Sequence, residues 1–529
     1  MTNSAKTRRI LINDDGWIMS EAEPPLTADD LRKRMVDTYQ GSPVGALLWC
    51  VGNREVYSYE TKAGEMFGQD FEVLENATDR KHAENVKRLI DECGGPLTAM
   101  VDLCHKAGID IFPSVRMNSH YEADSSAPNA GRFRNEHPEV LIGRPDEVFL
   151  EGSMRWGIRT GLDYTHQAVR AHMAAIINEL FESFDVDGVE LDFMRHPTFF
   201  KIEDAYANRY LMTDLVRRVR RRMDEVSSAT GRSIDLAVRV PPTLADSARI
   251  GLDVKQWMAE GLVDMVIAGG GFIPFETPVD EFVRAAEGTD CQIYGAIEYL
   301  RPAVDDEVIR AIAANHWDAG ASGIYLFNYF GKSAEWKKRA LSEIADQSAL
   351  RRLDKRFQMD NTRFRWDYTM DVSSRDLHDY AFENSVPPCQ LPVALPDTLT
   401  GHGARLRLYI ADDVESASDE GELAQCRLTL SFDNYRGEDE IEVLLNGEVL
   451  PSSSSTRTFG MWSHLEWTGF PTRLAQVEHD GGRLVFDLAC PPLRYGSNEL
   501  EVCLVRRTVS QPEHVVMVDV EVSLQYGRP

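Results

Sequence analysis

The feature that most constrains this chain is an alternation. From Arg8 to about Ile344, short apolar runs alternate with stretches of helical spacing, and the cycle repeats eight times. Strands are predicted at 9–13, 44–51, 109–116, 188–194, 234–240, 264–268, 292–299 and 323–328. Helices are predicted at 28–39, 82–93, 97–107, 165–184, 202–227, 254–260, 278–286, 305–319 and 334–345. In 165–184, Thr165 is the expected N-cap, and Ala168, Val169, His172, Ile176 and Leu180 recur on one face. Eight strand–helix units predict a closed parallel (β/α)8 barrel. A doubly wound open sheet is the alternative, but the count of eight favours closure.

After Ala345 the texture changes to short alternating strands separated by turns. Examples are 405–410, 427–432, 441–445, 484–488, 499–505 and 516–524, with Asn446-Gly447 as a hairpin signal before 448–450. These predict an all-β sandwich, with the acidic run 412–422 and the serines 452–455 as loops. The expected division is a catalytic α/β barrel over 1–350 and a C-terminal β-sandwich over 351–529.

The balance of charge narrows the partners. The 529 residues carry a formal net charge of -28, which argues against nucleic acid and anionic membrane surfaces. No stretch approaches the ~18 apolar residues of a membrane span, and no apolar leader follows Met1; a cytoplasmic location is expected. The eight cysteines show no CxxC spacing and read as reduced thiols. Whether the chain forms a homo-oligomer is left open.

Two connections are long, 52–79 and 118–163, and both leave the C-terminal ends of strands, where parallel barrels build their sites. Polar and aromatic residues concentrate at those ends. They are Asn13, Asp14 and Asp15; Trp49; Arg116, Asn118 and His120; Glu190, Asp192, Arg195 and His196; Arg239; Glu298 and Tyr299; and Asn328 and Tyr329, with Trp156 in the second long connection. Along Val189–Phe193 the side chains alternate, so Glu190 and Asp192 share one face.

This constellation fits glycoside hydrolysis, which needs two carboxyl groups flanking the scissile bond. Glu190 and Asp192 project from one strand with Glu190 a layer deeper, so they cannot readily flank a sugar. The expected pair is Asp192 as base or nucleophile and Glu298 as acid, with Glu190 in support. Arg116 and Arg239, on flanking strands, are the expected partners of Glu190 and Asp192. Trp17, Trp49, Trp156 and Tyr329 are candidate stacking platforms. The arginines and histidines either bind an anionic sugar or balance the carboxylates. No HxH or HExxH spacing supports a metal site, Gly269-Gly270-Gly271 lacks the remainder of a phosphate loop, and there is no Gly-x-Ser-x-Gly elbow. No cofactor is expected. The alternatives are a non-hydrolytic carbohydrate-binding barrel and a lyase or isomerase for uronate sugars using Arg116, His120 or His196.

One stretch resembles a known family. His105-Lys106-Ala107-Gly108-Ile109-Asp110, His137-Pro138-Glu139-Val140-Leu141, Leu162-Asp163-Tyr164-Thr165-His166-Gln167-Ala168-Val169-Arg170 and Phe184-Asp185-Val186-Asp187-Gly188-Val189-Glu190-Leu191-Asp192-Phe193 are similar to the glycosyl-hydrolase-like 10 family. The resemblance covers about residues 100–200 well and the rest of the barrel loosely. It implies a barrel glycosidase with Asp192 at the family's first aspartate. Phe193 stands where a second aspartate is usual, and Glu190 where histidine is frequent.

Overall fold

The computed structural model describes residues 8–53, 55–118, 127–144, 147–148, 159–195, 197–269, 276–298, 305–329, 332–359, 390–396, 402–467, 474–488, 492–507 and 513–527. Eight strands form a ring: β1 (Ile10–Asp14), β2 (Val44–Asn53), β5 (Asp110–Arg116), β6 (Gly188–Asp192), β7 (Asp235–Val240), β8 (Met265–Ala268), β9 (Gln292–Glu298) and β10 (Gly323–Phe327). All neighbours are parallel, and β1 pairs with both β2 and β10, which closes the barrel. Between β2 and β5, two short strands, β3 (Val56–Tyr57) and β4 (Glu65–Met66), extend the sheet outward from β2. Part of the first long connection is therefore ordered sheet.

The strand period sorts the barrel's side chains into two cores. Leu11, Ala46, Leu48, Phe112, Ala237, Met265, Ile267, Ala296 and Tyr325 form the inner cluster. Their strand neighbours, such as Ile10, Ile12, Leu47, Trp49, Val189 and Leu191, pack outward against the helices. The face of β6 opposite Val189 and Leu191 carries Gly188, Glu190 and Asp192, and contributes no apolar side chain to the inner cluster. At the N-terminal end Arg8 plugs the ring. Its guanidinium lies 2.7 Å from Asp110 and 2.8 Å from Asp235, and sits over Phe112. Gly188 makes room for that plug, because a Cβ there would come within 2.1 Å of the Phe112 ring and 2.5 Å of the Asp235 carbonyl.

Beyond the barrel, two antiparallel sheets face each other. One contains β11 (Lys355–Gln358), β12 (Val393–Ala394), β14 (Leu423–Asp433), β17 (Ser455–Trp467), β18 (Leu474–Asp487) and β20 (Val516–Tyr526). The other contains β13 (Ala404–Ile410), β15 (Glu440–Leu445), β16 (Glu448–Leu450) and β19 (Gly496–Arg506). Leu406, Leu408, Val443 and Val502 from the second meet Leu428, Leu430, Val520 and Val522 from the first, the layering of a β-sandwich. Asn446 (φ 53°) and Gly447 (φ 83°) both take positive φ, as a two-residue hairpin turn of this hand requires.

The helix Asp306–Asp318 joins barrel to sandwich. Val308 and Ile309 belong to the barrel's outer core, and Ala311 to the sandwich core. Asn315 donates to the Tyr409 carbonyl (3.3 Å) and accepts from the Ala411 amide (3.1 Å). Beside it the buried Lys355 ammonium lies 2.8 Å from Asp412 and donates to the carbonyls of Leu350 and Leu353.

Several elements depart from the sequence reading. The helix expected from Thr165 is Gln167–Ser183. Thr165 is instead tied back, its amide and hydroxyl both donating to Asp163 Oδ1 (2.9 and 2.7 Å). The acidic run holds a helix, Val414–Asp419, because Asp413 caps the Ser416 amide. Strand β17 went unread because it is a sheet edge, exposed along much of its length, and so carries no period-two apolar signal. Among the described residues, no helix is long and apolar enough to cross a membrane.

Substituting Gly188→Ala is expected to destabilise the protein by about 1–3 kcal/mol, the range for overpacking a filled core. A lower denaturant midpoint with an unchanged m-value is the expected result, and an unchanged midpoint would show that the N-terminal plug yields freely.

Candidate functional site

Strand register places the site. Ser114, Glu190 and Ala237 are level across β5, β6 and β7, and one step toward the mouth Arg116, Asp192 and Arg239 are level. Asp192 thus sits between two arginines at the C-terminal rim. Its Oδ2 lies 3.4 Å from Arg239 Nη1, and its Oδ1 accepts the Met194 amide at 2.8 Å. Arg239 is almost wholly buried, its guanidinium 3.9 Å from the centre of the Phe327 ring. The apolar packing and the carboxylate together hold that guanidinium in place.

Arg116 turns the other way. It donates to Asp15 Oδ1, an ion pair with both side chains buried. Asn328 locks the same carboxylate, donating to Oδ2 at 2.8 Å while its own carbonyl oxygen accepts the Asp15 amide at 3.2 Å. Asn328 does this from the left-handed region, at φ 54°, which asparagine tolerates better than most residues. Burial pushes the Asp15 carboxyl up, but Arg116, Arg195 and Asn328 outweigh it and hold the group below its ordinary value.

Glu190 lies one layer deeper and has no solvent exposure. Its hydrogen bonds come from neutral donors, Asn13 Nδ2 (3.2 Å) and the Tyr325 hydroxyl (3.0 Å), and Arg239 acts on it through charge. Burial, and then the charge of Asp192, push its carboxyl up to about 7. Arg195 is partly exposed at the rim. Burial and the nearby Arg116 lower its guanidinium to about 10.

Asp15, Arg116, Glu190, Asp192, Arg195, Arg239 and Asn328 are therefore brought together, but four other expected site residues are not part of this set. Trp49 faces the helices with Leu47, because Ala46 and Leu48 take the inner face. It is buried, and its indole N–H has no partner among the described residues. Asp14 likewise shares the outer face with Ile10 and Ile12. It accepts the Gly16 amide at 2.8 Å and interacts with Lys337, and burial pushes its carboxyl up to about 7. Tyr329 is buried against Trp336 beside the Lys337 ammonium, so it offers no platform to a sugar. Asn118 is a staple: its amide donates to the carbonyls of Leu162 and Thr198 and accepts the Leu162 amide. His120, Trp156, His196, Tyr299 and the Glu298 side chain lie outside the described residues. The backbone of Glu298 ends β9, level with Phe327.

The sequence reading missed Tyr325 and Phe327. Both were findable, since alternation along Gly323–Phe327 puts them on one face of the last strand, two residues apart like Glu190 and Asp192. Among the described residues, no group of three histidine, cysteine or acidic side chains is placed to hold a metal.

No family model matches the chain, and no curated protein matches it in sequence; the resemblance to the glycosyl-hydrolase-like 10 family rests on its motif residues alone. Glycoside hydrolases are among the solved structures to which the chain is similar. The glycoside hydrolase domain of PgaB (BpsB) from Bordetella bronchiseptica is 11% identical with a TM-score of 0.41, covering 64% of this chain and 99% of that one. The α-L-fucosidase isoenzyme 2 from Paenibacillus thiaminolyticus is 11% identical with a TM-score of 0.40, covering 65% and 49%. The GH36 α-galactosidase AgaA from Geobacillus stearothermophilus is 11% identical with a TM-score of 0.38, covering 99% and 56%. The chain spans about half the length of the latter two. At such identities and scores the likeness is one of fold, and no activity is argued from it.

The raised Glu190 carboxyl has a consequence for stability. Between its ordinary 4.5 and about 7, the folded protein keeps a proton that the unfolded chain releases. Stability therefore falls as pH rises through that window. In Glu190→Gln the fall is expected to be shallower, so the stability difference between variant and wild type shifts in the variant's favour from pH 5 to pH 8. Parallel urea titrations of both proteins at the two pH values measure it, and a pH-independent difference would contradict the assignment.

Proposed function

We propose that this protein is a glycoside hydrolase cleaving oligo- or polysaccharides, with Asp192 as base or nucleophile and Glu298 as acid. The observation that carries the reading is the buried pair on β6, one carboxylate ion-paired with Arg239 at the rim and one carboxyl held near neutrality beneath it. Glycosidic cleavage needs an ionised carboxylate opposite a protonated one. Asp192 carries the ion pair with Arg239 at 3.4 Å. Glu190 is too deep to meet a sugar, and its role is to tune Asp192 from below. The backbone of Glu298 ends β9, three strands round the ring from β6, and the proposal sets its carboxyl across the mouth from Asp192. The clustering of Arg116, Arg195 and Arg239 favours a substrate that carries negative charge. The division near residue 350 into a catalytic barrel and a C-terminal sandwich is part of the same proposal.

A specific observation favours a second reading, a barrel that binds carbohydrate without cleaving it. The rim carboxyls are already engaged, Asp15 by Arg116 and Asp192 by Arg239, and the deeper Glu190 is held by Asn13 and Tyr325.

Reducing-sugar release from a panel of neutral and uronate-containing glycans separates the two. Asp192→Asn and Glu298→Gln are each expected to lower turnover by about a hundredfold or more, with the fold retained by circular dichroism. Wild-type turnover in both variants would overturn the assignment, and binding of a glycan with no product from wild type would select the second reading. Arg239→Met, which removes the guanidinium 3.4 Å from Asp192, is expected to lower turnover with the fold retained by circular dichroism; wild-type turnover in this variant would remove Arg239 from the mechanism.

A further inference from the structure

A cavity of about 310 Å³ lies at the seam between barrel and sandwich, lined by Ala314, Leu350, Arg351 and Gln347 on the barrel side. Ala411, Asp413 and Tyr495 close it from the sandwich side, over the buried Lys355–Asp412 pair. It is remote from the mouth. Arg9, at the start of β1, donates to the Ala345 carbonyl at 3.0 Å, so the segment leading to Leu350 lies at the N-terminal end of the barrel strands, opposite the C-terminal rim.

The lining says what would fit. Leu350 and Ala314 are buried and give an apolar floor, while Tyr495 is 57% exposed and offers a ring face. Arg351 and Gln347, both exposed, supply donors on one rim. Asp413 supplies a carboxylate on the other, where its Oδ1 already accepts the Ser416 amide. Lys355 and Asp412 neutralise each other beneath, and Arg351 faces Asp413 in charge, so the cavity has no excess of either sign. A phosphate or carboxylate ligand would find no net attraction there. An aromatic face with a mixed donor and acceptor rim suits a neutral polyol ring, and the volume is in the range of small-ligand sites.

We propose that this seam cavity is a second, non-catalytic binding site for a neutral sugar unit, with Tyr495 stacking on the ring and Arg351 and Gln347 bonding its hydroxyls. The proposal rests on the glycoside hydrolase reading for its ligand class. It would hold a glycan chain at the end of the barrel away from the mouth, beside the contacts of Asn315 and Lys355 across the seam.

The test uses the full chain carrying Asp192→Asn, so that turnover does not consume the probe. Maltohexaose, cellohexaose and chitohexaose are titrated by calorimetry and by ligand-observed saturation-transfer NMR. At least one is expected to bind, with Tyr495→Ala weakening it about fivefold or more and Arg351→Ala weakening it as well. In the otherwise wild-type protein, Tyr495→Ala is expected to leave hydrolysis of short substrates unchanged. No binding of any probe at millimolar concentration would overturn the proposal, as would binding that survives both substitutions. The two readings fail separately: wild-type turnover in Asp192→Asn sinks the hydrolase assignment, whereas the response to Tyr495→Ala reports on the seam alone.

Discussion

Glu190 and Asp192 sit two residues apart on the inner face of β6, in a ring whose lumen also holds the apolar cluster of Leu11, Leu48, Phe112, Met265 and Ile267. Burying such groups without partners costs several kcal/mol each, and the surrounding structure is arranged to avoid that. The two solutions differ. Asp192 is met by a cation, Arg239, itself held against Phe327. Glu190 is met by neutral donors from β1 and β10, and its carboxyl moves toward neutrality instead. Three strands besides β6 must be in place for both solutions to exist, so the electrostatics of the site depend on the closure of the barrel through β1.

The barrel is polar at both ends for different reasons. At the N-terminal end the Arg8 network satisfies Asp110 and Asp235 and seals the ring, with Gly188 leaving space for Phe112. At the C-terminal end the charges are paired across strands but reach the rim, where Arg195 is partly exposed. The first arrangement closes a core, and the second leaves charged groups where a ligand can meet them. That asymmetry follows the rule that parallel barrels are stable at one face and functional at the other.

The sandwich is attached through a helix that serves two cores at once. Val308 and Ile309 pack into the barrel and Ala311 into the sandwich, while Asn315 satisfies two backbone groups at the C-terminal end of β13, those of Tyr409 and Ala411. The seam thus combines apolar burial on both sides of one helix with a buried ion pair, Lys355–Asp412, at its flank.

Much of this architecture was legible in the residues, because period is a local property. The eight strands of the ring lie within two residues of where apolar runs placed them, and Asn446-Gly447 announced its hairpin through the φ values only such residues take easily. Alternation along β6 put Glu190 and Asp192 on one face before any fold was known. It also carried the answer for Trp49 and Asp14, whose odd or even place in their strands turns them toward the helices and away from the lumen. What the sequence could not decide was who meets whom. Arg116 forms its ion pair with Asp15, Asn118 serves the backbone, and Tyr325 reaches Glu190 across the ring. Those choices depend on inter-strand register and on β1 lying between β2 and β10, contacts between residues up to hundreds of positions apart. No local pattern encodes such contacts; only the closed tertiary structure brings them within hydrogen-bonding distance.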